Sequence, residues 1–317
     1  MQNKKIKLNN PISRRTFLEY SSKLGSALSA GILFPRLRSE NSSLSSPVVA
    51  VVKGSPSDAV SKAIEFVGGI DRFVQPGSTV LIKPNVSFPN SKTWGTTTSP
   101  EVVKAVTQLT LDAGAQRVII ADNTMRKSDI CFHRTGIIET LSDMKKVKII
   151  PIQKESFFKE VSVPGGKALT RVKIAKLIQR ADLTINLPCA KSHSATQVSF
   201  GLKNLMGLIW NRSYLHQGTD LHSAIAELSL IIQPQLTLLD ATRALVTAGP
   251  TGPGKVQNLN TILASTDILA VDAYAVSLAP WNNRFLTAKS VKHLYRASQL
   301  GIGEINIDKM TIRKAIL

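Results

Sequence analysis

Two hydrophobic patterns alternate along this chain: short continuous apolar runs, and longer stretches in which apolar residues recur every three or four positions. The runs at residues 48–52, 79–82, 118–121, 147–150, 183–187 and 236–239 read as strands buried on both faces. Between them the spacing is helical. Ser55-Pro56-Ser57-Asp58 places a cap, a proline and an acid at a helix start, followed by Ala59, Ala63, Ile64 and Val67. Ser99-Pro100-Glu101 starts a second helix with Val102, Val103, Val106 and Leu109 on one face, closed by Gly114. Helices are also expected over residues 197–209, through Val198, Leu202, Leu205 and Ile209, and over 221–232, through Ile225, Leu228 and Ile232. The alternation predicts an α/β layered fold with a mainly parallel sheet covered by helices on both faces. Residues 124–175 follow it less well, and Pro164-Gly165-Gly166 marks a hairpin or small insertion there.

The start of the chain breaks this pattern. Ser13-Arg14-Arg15-Thr16-Phe17-Leu18 precedes a Gly/Ala/Ser-diluted apolar run at residues 24–34, which reads as a twin-arginine export signal recognised by a translocase of folded proteins. The run is well short of the roughly 20 residues a spanning helix needs. Ala27 and Ala30 are separated by Leu28 and Ser29, which misses the A-x-A cleavage pattern, so retention as an uncleaved anchor stays open as the one expected membrane contact. Residues 36–47 are Ser-rich and aperiodic, as in a linker. The expected organisation is therefore a signal at 1–35, a linker at 36–47, and one α/β domain at 48–317 with a small insertion at 124–175, in a periplasmic or other extracytoplasmic protein.

Charge narrows the partners. The 317 residues carry a formal charge of +19; eight of the 40 Lys/Arg and two of the 21 Asp/Glu fall in residues 1–40, leaving +13 on the rest. Such a surplus attracts anions in general. Aromatics are only 5%, and no basic–aromatic alternation, zinc-finger spacing or helix-turn-helix pattern is present, which argues against nucleic acid. Two cysteines, Cys131 and Cys189, allow at most one disulfide and cannot supply the four thiolates of a ferredoxin-type cluster.

Several expected strands end in polar side chains: Lys83 and Asn85; Asp122 and Asn123; Cys189, Lys191 and His193; Asp240, Thr242 and Arg243. In open parallel sheets such ends meet at the ligand crevice. Residues 187–196 read as a hydroxyl- and Lys-rich turn at the start of the helix carrying Lys203 and Asn204, suited to an anion, with Ser194 or Thr196 as either cap or ligand contact. Gly249-Pro250-Thr251-Gly252-Pro253-Gly254-Lys255 is a second anion-binding candidate, but Val256 stands where a P-loop needs Ser or Thr. Cys189 with His193, and Cys131 near His133, could converge on zinc or iron. Cys189 is also a candidate nucleophile with His193 as base. His216 and His222, six apart, fall on different faces of one helix, and Asp267 and Asp272 offer a helix cap or a carboxylate ligand.

Lys83-Pro84-Asn85, Ser99-Pro100-Glu101, Asn186-Leu187-Pro188 with Lys191 and His193, Gly201-Leu202-Lys203-Asn204 with Gly207, and Gly249-Pro250 followed by Asp267 and Asp272 together resemble the domain-of-unknown-function family 362, over about residues 48–280. The resemblance implies no reaction. Some members carry an iron–sulfur module and some a twin-arginine signal, whereas this chain lacks any C-x-x-C-x-x-C run. The leading expectation is an exported protein, and a candidate enzyme, whose pocket of Lys83, Asn85, Lys191, His193, Lys203 and Asn204, with Gly249, Gly252 and Lys255 as further contacts, binds a small phosphate or carboxylate. His193 is its expected proton carrier. The alternatives are a metal- or iron–sulfur-dependent redox protein using Cys189 and His193, and a non-catalytic surface binding protein.

Overall fold

The computed structural model describes residues 46–317. The expected export signal, and all but the last two residues of the expected linker, lie outside the described residues. From there the chain runs β1 (Val48–Lys53), α1 (Pro56–Phe66), β2 (Thr79–Pro84), α2 (Pro100–Asp112), β3 (Arg117–Asp122), α3 (Ser128–Arg134), α4 (Ile137–Leu141), β4 (Val147–Pro151), β5 (Phe158–Ser162), β6 (Arg171–Ala175) and α5 (Leu177–Arg180). It continues through β7 (Leu183–Leu187), β8 (Cys189–His193), β9 (Gln197–Ser199), α6 (Gly201–Asn204), α7 (Arg212–Gln217), α8 (Leu221–Leu228), β10 (Leu236–Leu245), β11 (Val256–Gln257), β12 (Thr261–Ser265), α9 (Ile268–Val276), α10 (Lys292–Gln299) and β13 (Thr311–Ile316).

The main sheet has the order β13-β1-β12-β10-β7-β2-β3-β4. Strands β10, β7, β2, β3 and β4 pair in parallel, as do β1 and β13, while β12 runs against both of its neighbours. Alternate strand residues enter opposite cores. Val80 and Ile82 pack with Ala59, Val60, Val102 and Val106 of α1 and α2 on one face. Leu81 packs with Leu202, Ile225, Leu269 and Leu294 of α6, α8, α9 and α10 on the other. This is the mainly parallel, doubly covered sheet that the apolar runs predict.

Local chemistry sets the helix starts. Ser55 Oγ accepts from Asp58 N at 3.4 Å, with Pro56 in the first turn of α1. At α2 the partner comes from across the sheet: Asp240 Oδ2 accepts from Ser99 N at 2.7 Å, putting a carboxylate at the positive end of that helix. The strand expected at 236–239 therefore continues to Leu245, its polar residues matched by the start of α2.

Residues 187–209 differ from expectation. Instead of a turn leading into one long helix, β8 folds back on β9 with Lys191 opposite Ser199 and His193 opposite Gln197. Gln197 takes a φ of 66°, the short helix α6 follows, and residues Leu205–Leu208 form a 3₁₀ turn. Apolar spacing suits a helix here, but the hairpin pairing of β8 decides the backbone. The helix expected to reach residue 232 ends at Leu228. Strands β5 and β6 form a separate antiparallel ribbon whose connection contains Pro164-Gly165-Gly166.

Candidate functional site

The ends of β2, β3, β7 and β8 meet α6 in a buried polar network. Lys83 Nζ donates to Pro84 O and Asn204 Oδ1, both at 2.8 Å, and lies 3.0 Å from Asp122 Oδ1. Asn204 Oδ1 also accepts from Asn85 Nδ2 at 3.0 Å, and Asn204 Nδ2 donates to Lys83 O at 3.2 Å and Asn186 Oδ1 at 2.9 Å. Asn85 Oδ1 accepts from Lys191 Nζ at 3.0 Å, and Lys191 also donates to Thr96 O. The amides of Asn85 and Asn204 are thus occupied within the protein, as is the Lys83 ammonium. These three residues build the site rather than offer groups to a ligand.

Lys203 is different. It is 7% exposed, and among the described residues its ammonium has one hydrogen-bond partner, Met206 Sδ at 3.4 Å. A thioether is a weak acceptor for a charged donor. Burial, then the charges of Lys191 and Arg212, bring the Lys203 pKa down to about 7. Burial also lowers Lys83, to about 8 against the opposing pull of Asp122, and lowers Lys191 and Arg212. Four cations thus share a region in which Asp122 is the nearby carboxylate, already paired with Lys83.

Imidazoles surround this cluster. His193 stacks on His216 of α7 with centroids 6.3 Å apart, and His222 of α8 stacks on His293 of α10 at 6.0 Å. Burial, then Lys203 and Lys191, push His193 to about 2; burial, then Lys203 and His222, push His293 to about 3. Both rings are neutral at working pH. His193 Nδ1 accepts from Ala195 N at 3.1 Å, which assigns the proton to Nε2 and makes that nitrogen a donor. His193 in its neutral form thus presents Nε2–H as a hydrogen-bond donor.

The other expected residues take structural places. Gly249 N donates to Ser192 Oγ at 3.0 Å, so the second glycine loop braces β8 between Lys191 and His193. A Cβ at Gly249 would collide with the Ser192 backbone, and Gly252, at φ +67°, faces the Trp94 ring. Lys255 is exposed and is not among the charges acting on the buried lysines. Asp267 Oδ1 caps α9 by accepting from Ala270 N at 2.9 Å. Asp272, fully buried and raised to about 7 by that burial, accepts from Gly201 N at 2.7 Å and Leu202 N at 2.9 Å, fixing the helix that carries Lys203.

The sulfur and imidazole donors do not fit a metal. Cys131 sits in α3 with its thiol 3.9 Å from Ser87 O, while the neighbouring His133 is exposed. Burial raises the Cys189 thiol against the lowering pull of Lys191 and Lys83, a net direction opposite to that of an activated nucleophile. Among the described residues no three His, Cys, Asp or Glu side chains gather as a metal site.

A cavity of about 460 Å³ opens between Asn123, Thr124, Met125, Gln153, Trp210 and the start of α7, and Arg212 lines it. Arg212 thus belongs both to the cavity wall and to the field acting on Lys203 and Lys83. Sequence reading missed Arg212, His293 and the buried threonines Thr96, Thr97 and Thr98, and it placed His216 and His222 on one helix when they lie on two. The hydroxyl run Thr96-Thr97-Thr98-Ser99 was a usable signal; nothing local marked His293.

The family described as Domain of unknown function (DUF362) matches residues 80–277. The thylakoid-associated protein sll1697 of Synechocystis sp. (strain ATCC 27184 / PCC 6803 / Kazusa) is 28% identical over 226 residues, covering 69% of this chain and 68% of that protein. Among solved structures, the lactate racemase apoprotein from Thermoanaerobacterium thermosaccharolyticum aligns with TM-score 0.47 and 14% identity over 72% of this chain. A Thermotoga maritima protein aligns with TM-score 0.44 and 13% identity over 81%. The chain spans 57% and 60% of the lengths of these two structures.

Proposed function

The chain belongs to the DUF362 family, and we propose that it binds a small phosphate- or carboxylate-bearing molecule at Lys191, Lys203, His193 and Arg212, and acts on it as an enzyme. One observation carries the reading: the buried Lys203 ammonium has a thioether as its partner and stands in a field of cations. A buried charge is costly unless it is paired, and an anion supplies the missing partner. Lys83, Asn85 and Asn204 hold the framework, and Arg212 also lines a cavity of about 460 Å³. Thermal shift across a panel of phosphates and carboxylates tests this. The wild type is expected to be stabilised by at least one of them, by about 2.7 kcal/mol at a hundredfold excess over Kd, and a Lys191→Ala/Lys203→Ala double variant is not. Equal responses of the two proteins to every anion would remove the reading.

The same proposal assigns the protein to an extracytoplasmic compartment, on the strength of Ser13-Arg14-Arg15-Thr16-Phe17-Leu18 and the weakly apolar run behind it. Arg14→Lys/Arg15→Lys is expected to leave the protein in the cytoplasm of a host with a working twin-arginine translocase. Unchanged cell fractionation would refute the assignment.

A further inference from the structure

Three lysines share the site, but their ammonium groups are handled differently. Lys83 and Lys191 give their protons to amide and carbonyl oxygens. Lys203, nearly as buried, has Met206 Sδ. Two cations, Lys191 and Arg212, act on it, and both suit a carboxylate or phosphate. Neutral imidazoles flank it: His193, whose Nε2 carries the proton, and His293, fully buried and with neither ring nitrogen hydrogen-bonded among the described residues. A lysine desolvated beside other cations is the arrangement that lets an amine attack a carbonyl near neutral pH. A lysine serving only as a counter-charge would be expected to hold oxygen acceptors as Lys83 does.

Building on the anion-binding reading, we propose that Lys203 Nζ is the nucleophile of this site and condenses with the carbonyl of a small anionic aldehyde or keto acid to form an imine. The neutral amine adds to the carbonyl carbon; a C–N bond forms, the C=O π pair moves to oxygen, and that oxygen takes a proton. The carbinolamine then loses its hydroxyl as water as the nitrogen lone pair makes the C=N bond, so both amine hydrogens leave with the oxygen. No oxidant or reductant is consumed. Lys191 and Arg212 hold the anionic end, and the His193 Nε2–H donates to the departing oxygen.

The test traps the imine. Full-length protein is incubated with glyoxylate, pyruvate or pyridoxal 5′-phosphate and sodium cyanoborohydride, and modified lysines are located by peptide mass spectrometry. With at least one probe Lys203 is expected to be labelled about tenfold or more faster than any exposed lysine at pH 7.5, where an amine of ordinary pKa is only about one part in a thousand neutral. Lys203→Arg is expected to lose the adduct yet still bind inorganic phosphate. Phosphate binding without preferential labelling of Lys203 overturns the imine and leaves the anion site standing; failure to bind any anion overturns the reading beneath both. Should Lys203→Arg misfold by circular dichroism, the wild-type labelling profile decides. A rise centred near pH 7 supports the proposal, and a rise only above about pH 9, as for ordinary lysines, overturns it.

Discussion

Lys83 Nζ stands 3.0 Å from Asp122 Oδ1 across the parallel strands β2 and β3, with 1% and 0% of the two side chains exposed. Asp122 Oδ2 also accepts from Val86 N at 2.8 Å, so the carboxylate ties a cation and a loop at once. Breaking such a pair strands a buried charge, which costs about 3–5 kcal/mol. Asp122→Asn and Lys83→Met are each expected to lose stability of that order in urea denaturation, and Lys83→Met/Asp122→Asn to recover much of it. Losses that simply add would show that the two groups are not coupled.

This pair also shows how far the chain could be read from its residues. Strands β2, β3 and β7 were legible because burial on both faces leaves continuous apolar runs, and the polar residues near their ends meet in one buried network. What Lys83 does there was not legible, since its fate depends on Asp122 and Asn204, from two other segments, as well as on its neighbour Pro84 O. The stretch from Val198 to Ile209 has helical spacing, yet Gly201 N is bonded to Asp272 and Gly207 O to Asn123 N, contacts that only the assembled fold supplies. The four imidazoles arrive on β8, α7, α8 and α10, and no shared spacing or motif connects His193 to the other three.

Lys203 sets a pH dependence with a definite sign. Its folded pKa is about 7 against an ordinary 10.5, so between these values the unfolded chain holds a proton that the native state has released. Stability from this group therefore rises with pH across that window, by at most about 1.4 kcal/mol per unit. Anion binding favours the protonated form, so affinity for sulfate, whose charge is constant here, is expected to fall by up to about tenfold per unit above pH 7. Calorimetry at pH 6, 7, 8 and 9 checks this, with Lys203→Arg expected to remove the part of the fall that begins near pH 7. A flat wild-type profile would contradict the assigned role of Lys203.

His293 acts in the acid range. Its folded pKa is about 3 against an ordinary 6.5, so on acidification below 6.5 the unfolded chain takes a proton that the native state refuses, and stability is lost. His193 adds a loss of the same sign, and Asp272, raised to about 7, offsets part of it by holding a proton that the unfolded chain gives up. Between pH 7.5 and 5, His293→Phe is expected to lose on the order of 2 kcal/mol less than the wild type. Denaturant titrations at the two pH values measure the difference, and equal losses would mean that His293 is charged or water-linked in the native state.

Gly207 is where backbone and ion pair come closest. Its carbonyl accepts from Asn123 N at 2.9 Å, and a Cβ at this position would collide with Asp122 Oδ1 and fall 2.6 Å from Lys83 Nζ. A buried carboxylate tied to Val86 N and a saturated ammonium leave little room for relief. Overpacking alone costs about 1–3 kcal/mol, and displacing Lys83 also disturbs Asn204, and through Asn85 the partner of Lys191. Gly207→Ala is therefore expected to lower the melting temperature and to weaken anion binding together, although residue 207 touches no proposed ligand group. Thermal melts and calorimetry with sulfate test the coupling: a variant that is destabilised but binds sulfate as the wild type does would show that the Lys83 framework does not position Lys191.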